Sequence, residues 1–217
     1  MEDSKKVRAF FDRRARAFDS YYLPEDKSLF LKFLDFLFRG SIERRLRLTV
    51  EECSQEKDLT VLDVGCGSGR AMVRFLEGGA KEVTGVDFSP EMLHLARTVA
   101  APFEKEGRCQ FILGHFAELT FPRKFDVTVA LGFFDYTRSP ESYLRKMREL
   151  TSRKIIASFP ARWRWRNIVR IVRLFFLGCP VYFYTPASIR RLLKNASIPC
   201  YTITNIGRDY FVVAEFS

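Results

Sequence analysis

The sequence predicts one α/β domain, a mostly parallel sheet wrapped by helices, over 217 residues. Three patterns predict it. From residue 56 to 160, apolar strand segments alternate with helical ones over short connections, which favours parallel strands joined by crossover helices. A glycine-rich turn follows the first strand. The C-terminal stretch CYTITNIGRDYFVVAEF reads as two strands turning at Gly207-Arg208, which adds an antiparallel strand.

Residues 1–55 read as helices. Val7, Phe10, Phe11, Ala15 and Phe18 recur at helical spacing. A Leu- and Phe-dense helix over 27–38 follows, and Gly40 punctuates its end. A basic helix over about 41–53 closes this N-terminal cap. The core begins with a strand at 59–64 and a helix from about Ser68. A second strand spans 82–88, and Ser89-Pro90-Glu91 opens the next helix with Ser as N-cap and Pro in the first turn. Strands at 109–114 and 125–133 come next, then a helix from Ser139-Pro140-Glu141 to about Leu150. The fifth strand is 154–159. Residues 161–217 form the remaining part: a helical segment at 162–177, a helix at 186–195 opened by Thr185-Pro186, and the terminal hairpin.

Composition narrows the class. Lys and Arg total 36 against 26 acidic residues, a formal charge of +10, which favours anionic partners: nucleic acid, lipid headgroups or an acidic substrate. The five cysteines are odd in number and lack CxxC spacing, and only two histidines are present. Neither a disulfide framework nor a metal centre is expected, and the simplest setting is a reducing one. The N-terminal stretch has no apolar signal-like run, and no apolar run approaches the ~20 residues that span a bilayer. The expectation is a cytoplasmic protein, at most bound to a membrane surface.

Ligands of parallel sheets bind beyond the carboxyl ends of the strands, where strand order reverses. There the sequence reads Asp63-Val-Gly65-Cys66-Gly67-Ser-Gly69, after an apolar strand and before a helix. Alternating glycines let the backbone turn tightly and approach a ligand, and the helix start presents free N–H groups. A dinucleotide fingerprint would need glycine at position 70, which is Arg70. The spacing suits a nucleoside without a pyrophosphate. Asp87 ends the second strand, where a carboxylate can accept both ribose hydroxyls.

The segments VLDVGCGSGR, VTGVDFSPEMLHLAR and FDVTVALGFFDY resemble the class I S-adenosylmethionine-dependent methyltransferases, over residues 60–160. The resemblance implies a Rossmann-like, mostly parallel seven-stranded sheet with an antiparallel C-terminal strand, and N-terminal helices capping the cofactor site. It implies that Asp63, Gly65, Cys66, Gly67 and Gly69 hold the methionine part of S-adenosylmethionine. Asp87 would hold the ribose, and Phe88 and Met92 would line the adenine. Leu131, Gly132 and Phe133 would flank the sulfonium. Where the family often has an Asp that meets the adenine amino group, this chain has His115, whose neutral imidazole can accept the same bond. Phe116 can offer its backbone N–H. S-adenosylhomocysteine would be the product.

The flanks FFDRRARAFDSYY and ALGFFDYTRSPESYLRKM are similar to the magnesium-protoporphyrin O-methyltransferases and small-molecule relatives. Those enzymes carry a His-Tyr pair where this chain has Asp135-Tyr136, which argues against a porphyrin acceptor. Asp135, Tyr136, Tyr22 and His115 are the candidates for a base or orienting group. The Arg- and Trp-rich segment 162–177 follows the fifth strand, where the family places substrate-recognition elements. It can shape the acceptor pocket or lie on an anionic membrane surface. The expected reaction is methyl transfer to a small, hydrophobic or amphiphilic acceptor. The alternative is an RNA-directed methyltransferase, or a non-catalytic nucleic-acid- or membrane-associated protein. No Asn/Asp-Pro-Pro-Tyr-type motif follows the fourth strand, which weighs against amine methylation of nucleic acid.

Overall fold

The computed structural model describes residues 7–9, 12, 29–162 and 180–216. Tyr22 and nearly all of segment 162–177 lie outside them. The helices are α1 (Leu29–Cys53), α2 (Arg70–Glu77), α3 (Pro90–Val99), α4 (Ala101–Lys105), α5 (Pro140–Leu150) and α6 (Pro186–Asn195). The strands are β1 (Thr60–Val64), β2 (Glu82–Asp87), β3 (Cys109–Leu113), β4 (Phe125–Ala130), β5 (Thr151–Pro160), β6 (Tyr201–Asn205) and β7 (Asp209–Glu215).

All seven strands form one sheet in the order β3-β2-β1-β4-β5-β7-β6. The first five are parallel, and β7 runs against both its neighbours, β5 and β6. The sheet is therefore the mostly parallel one predicted, with β7 as the antiparallel strand. From β1 the chain builds outward through β2 and β3, then returns to lay β4 on the other side of β1. Strand order reverses between β1 and β4, so the ligand crevice opens at their carboxyl ends.

Period-two alternation gives the sheet two apolar faces. Val61, Val129, Ile156 and Val213 face one side with Leu46, Phe75, Leu93 and Ala96 from α1, α2 and α3. Leu62, Ala130, Ile155 and Val212 face the other, with Leu144, Met147, Ile189 and Leu193 from α5 and α6. Phe75, Phe134 and Phe159 are fully buried. Truncating such a ring to Ala costs about 3–5 kcal/mol.

The structure corrects several boundaries. Gly40 does not end a helix: α1 runs unbroken through it. An exposed glycine costs a helix only about 1 kcal/mol relative to Ala. It stops one where it turns left-handed, and Gly40 does not. Strand β4 stops at Ala130, not 133, because Gly132 takes φ 74° and a 3₁₀ turn follows at Phe134–Tyr136. Strand β5 is longer than 154–159, since pairing with β7 continues to Pro160 opposite Asp209. Helix α2 starts at Arg70 on a left-handed Gly69 rather than at Ser68. Ser89 caps α3 by accepting from Met92 N at 3.2 Å. Thr185 and Ser188 form a capping box on α6.

Candidate cofactor and acceptor site

The loop from β1 to α2 is a cradle. Gly65, Gly67 and Gly69 have φ of 74°, 54° and 73°, a left-handed series that side chains other than glycine resist. The loop is pinned to the end of β2, with Gly65 N and Cys66 N donating to Val86 O at 2.8 and 3.1 Å. A Cβ on Gly69 would lie 2.9 Å from Ala96 Cβ, so this glycine also lets α2 approach α3. A Cβ on Gly67 would meet nothing within 4 Å, so the loop faces open space there. The Cys66 thiol does not face that space. It packs into the core beside Met72, under Gly85, so Cys66 offers the site only its backbone.

Two buried carboxylates flank the cradle. Asp87 accepts from Gly67 N through Oδ2 and from Ser89 N through Oδ1, both at 2.9 Å. Burial raises its pKa, and these backbone N–H groups oppose the rise. Each carboxylate oxygen has a further lone pair, so ribose hydroxyls can still be accepted. Asp63 is 2% exposed and its Oδ2 has no hydrogen-bond partner. Burial, with a smaller contribution from the Asp87 charge, pushes its pKa up to about 7. A buried acceptor left unmatched is costly and calls for a donor from a ligand. The ammonium of a methionine moiety is such a donor, so the residues present fit S-adenosylmethionine.

Beyond Asp87 lies an aromatic wall. Phe88 stacks on His115 with centroids 6.0 Å apart, and His115 Nδ1 lies 3.4 Å from Tyr143 Oη. Phe116 and Met92 are buried, at 3% and 1% exposure. Lys146 ties down the loop that carries His115 and Phe116, donating to Ala117 O at 3.0 Å and to Leu119 O. Asp12 reaches the same end. Its Oδ1 accepts from Ser89 Oγ at 2.6 Å, beside Asp87. Asp12 lies in FFDRRARAFDSYY, and Tyr143 and Lys146 in ALGFFDYTRSPESYLRKM, but nothing within those segments singles the three residues out.

The exit of β4 forms the other half. Phe133 covers the cradle: a Cβ on Gly65 would lie 2.9 Å from its ring. Phe133 packs edge-on against Phe134 and Tyr143, and Phe134 stacks on Phe159 at 4.6 Å. Gly132 N donates to Ser158 Oγ at 2.8 Å. Asp135 is 1% exposed, inside the 3₁₀ turn, while Tyr136 is half-buried. Burial raises the Tyr184 pKa, and the neighbouring Asp135 charge adds to it. Arg45 of α1 also arrives here, unpredicted. Its Nη1 lies 3.4 Å from Ser158 Oγ and 3.7 Å from Asp209 Oδ2. Among the described residues no three His, Cys, Asp or Glu side chains come together as metal ligands. No described helix is long and apolar enough to cross a membrane.

Residues 61–154 match the family described as "Methyltransferase domain". The chain is 35% identical over 95 residues to a tRNA U34 carboxymethyltransferase of Idiomarina loihiensis, 42% of this chain and 28% of that protein. It is 38% identical over 90 residues to the same-named protein of Shewanella piezotolerans, 42% of this chain and 27% of that one. The chain thus spans under a third of the curated relatives it matches. The crystal structure of magnesium protoporphyrin IX methyltransferase from Synechocystis PCC 6803 with bound SAH superposes with a TM-score of 0.77 at 20% identity, covering 99% of this chain and 100% of that one. Residues 61–154 thus carry the signature of a methyltransferase domain, and the chain as a whole has the fold of that S-adenosylhomocysteine-bound methyltransferase.

Proposed function

We propose that the protein is an enzyme that transfers a methyl group from S-adenosylmethionine to a small, hydrophobic or amphiphilic acceptor. The observation that carries this is the pair of buried carboxylates at the glycine cradle, one of which, Asp63, keeps an unmatched oxygen. Asp63 would take the ammonium, Asp87 the ribose hydroxyls, and Phe88, His115 and Met92 the adenine. The cofactor supplies a methyl group already activated on a sulfonium. The protein's task is then to align the acceptor in a dry pocket. Phe133 and Tyr143 border that pocket, and their apolar surface supports an amphiphilic acceptor. Tyr136 is the candidate for orienting it. The burial of Asp135 suits it to holding the turn beneath.

An RNA acceptor is a second reading, and charge distribution favours it. Residues 150–208 hold 11 basic residues and no acidic one, while the rest of the chain holds 25 basic and 26 acidic. The matched relatives act, by name, on tRNA. Peripheral membrane binding through 162–177 would be tested by vesicle sedimentation with Arg166 and Arg170 changed to Glu. The four described cysteines are free thiols, which supports a cytoplasmic setting.

Calorimetry with S-adenosylmethionine, S-adenosylhomocysteine and NAD tests the donor. The first two are expected to bind and to raise the melting temperature. Tighter binding of NAD would sink the reading. Labelled cofactor offered with separate lipid, metabolite and RNA pools identifies the acceptor, and label in RNA alone would replace the first reading with the second.

A further inference from the structure

We propose that Arg45 is an acceptor-specificity residue that holds an oxyanion, a carboxylate or a phosphate, at the exit of β4. The proposal rests on the methyl-transfer reading above. The Arg45 side chain is 12% exposed. Its guanidinium is nevertheless loosely held, by the long contact to Ser158 Oγ and the 3.7 Å approach of Asp209 Oδ2. A guanidinium carries five N–H donors in a planar fork. One of them is spent here, and at a length where hydrogen bonds are weak. Burying a cation with unspent donors is unfavourable unless acceptor oxygens arrive.

The direction of the group matters as much as its burial. Nη1 and Nη2 lie 3.6 and 3.8 Å from the point where a Cβ on Gly132 would sit. The missing side chain leaves the guanidinium facing the turn. That turn borders the cradle, because the next residue, Phe133, rests on Gly65. Asp63 and Asp87 occupy the β1–β2 side of the crevice, and Arg45 the β4–β5 side. The crevice therefore has two chemical ends: carboxylates for an ammonium and hydroxyls, and a guanidinium for an anion. Asp209 neutralises Arg45 from beyond good hydrogen-bond length, so an incoming oxyanion that docks on the fork gains two short charge-assisted bonds. The basic excess of residues 150–208, the stretch that includes β5 and ends beside Asp209, is an independent sign of an anionic acceptor.

Calorimetry on the S-adenosylhomocysteine-saturated protein tests this with naphthoate, naphthyl phosphate and uncharged naphthamide as probes. At least one anion is expected to bind about tenfold or more tightly than the amide, the size of one charge-assisted bond. Arg45→Gln should abolish that preference and Arg45→Lys restore part of it, with S-adenosylhomocysteine affinity changed less than about threefold, as for uncoupled sites. Preference for naphthoate assigns a carboxylate, and preference for the phosphate ester assigns a phosphate. Equal binding of amide and anions, unchanged anion binding in Arg45→Gln, or no binding of any probe overturns the proposal. The wild-type comparison stands even where a variant fails to fold. Failure of S-adenosylhomocysteine to bind would overturn the methyl-transfer reading instead.

Discussion

The two halves of the crevice are built by different means. On the β1–β2 side, the groups are close in sequence and held by backbone: left-handed glycines, N–H donors on Asp87, and a cap from Ser89. On the β4–β5 side, the contacts join residues far apart. Arg45 meets Ser158 across 113 residues, and the Ser158 hydroxyl in turn holds Gly132 N. A half made of backbone depends little on which side chains surround it. A half made of distant side chains changes its selectivity with single substitutions. The first half suits an invariant cofactor, the second a particular acceptor.

The sharpest way to break the comparison is Asp87→Ala. It removes the anchor of Gly67 N and the expected ribose contacts, at about 1.5–3 kcal/mol for each bond to a charged group. Affinity for S-adenosylhomocysteine in calorimetry should fall by about a hundredfold or more. A change under tenfold would mean that the cradle does not depend on this carboxylate.

Asp63 gives the next effect. Its folded pKa of about 7 lies above the unfolded value near 3.8, so between those pH values the folded chain holds a proton that the unfolded chain releases. This contribution to stability is full below about pH 4 and is lost as pH rises to about 7, on the order of a few kcal/mol. The melting temperature of the ligand-free protein should carry that downward slope. Asp63→Asn, or saturation with S-adenosylhomocysteine, should flatten it. An identical slope in the variant would locate its origin elsewhere.

Smaller effects sharpen the boundary between the halves. Tyr143→Phe removes only the hydroxyl 3.4 Å from His115. It should weaken adenosine-moiety binding a few-fold, about 1 kcal/mol or less, with stability little changed in a denaturant titration. The smallest expected effect is that of a chelator. Turnover should be the same with and without it, and restoration by a divalent ion after loss would show a metal requirement.

How far each half could be read from the sequence follows the same division. The cradle was legible because its chemistry sits in one strand-turn-helix, and Asp87 because it ends the next strand. The helix starts at Ser89-Pro90 and Thr185-Pro186 announce themselves by capping chemistry. Arg45 was hidden because one arginine among Arg44, Arg45 and Arg47 looks like a solvated helix face. Only its register against β5 turns it inward. Asp12 was hidden because one carboxylate in the charged segment FFDRRARAFDSYY also looks solvated, and only the fold brings it to Ser89. The end of β4 was misplaced because the apolar run VALGFF continues through a turn that glycine and a 3₁₀ segment create.

Helix α1 makes two polar contacts to β5. Arg45 meets Ser158 near the carboxyl end of the strand, and Glu52 grips Lys154 at 2.8 Å near its start. The helix therefore runs against the strand, with its contacts about 10 Å apart along its own axis and about 13 Å apart along β5. Between these two points Leu46 and Cys53 pack into the core, so this stretch of the helix is fixed both along and around its axis. The backbone helix continues from Arg45 back to Leu29, about 24 Å further in the direction of the carboxyl ends of the strands. The Arg45 contact at the exit of β4 is thus a fulcrum: a tilt of the helix there would be felt at once by Ser158 and, through it, by Gly132 N.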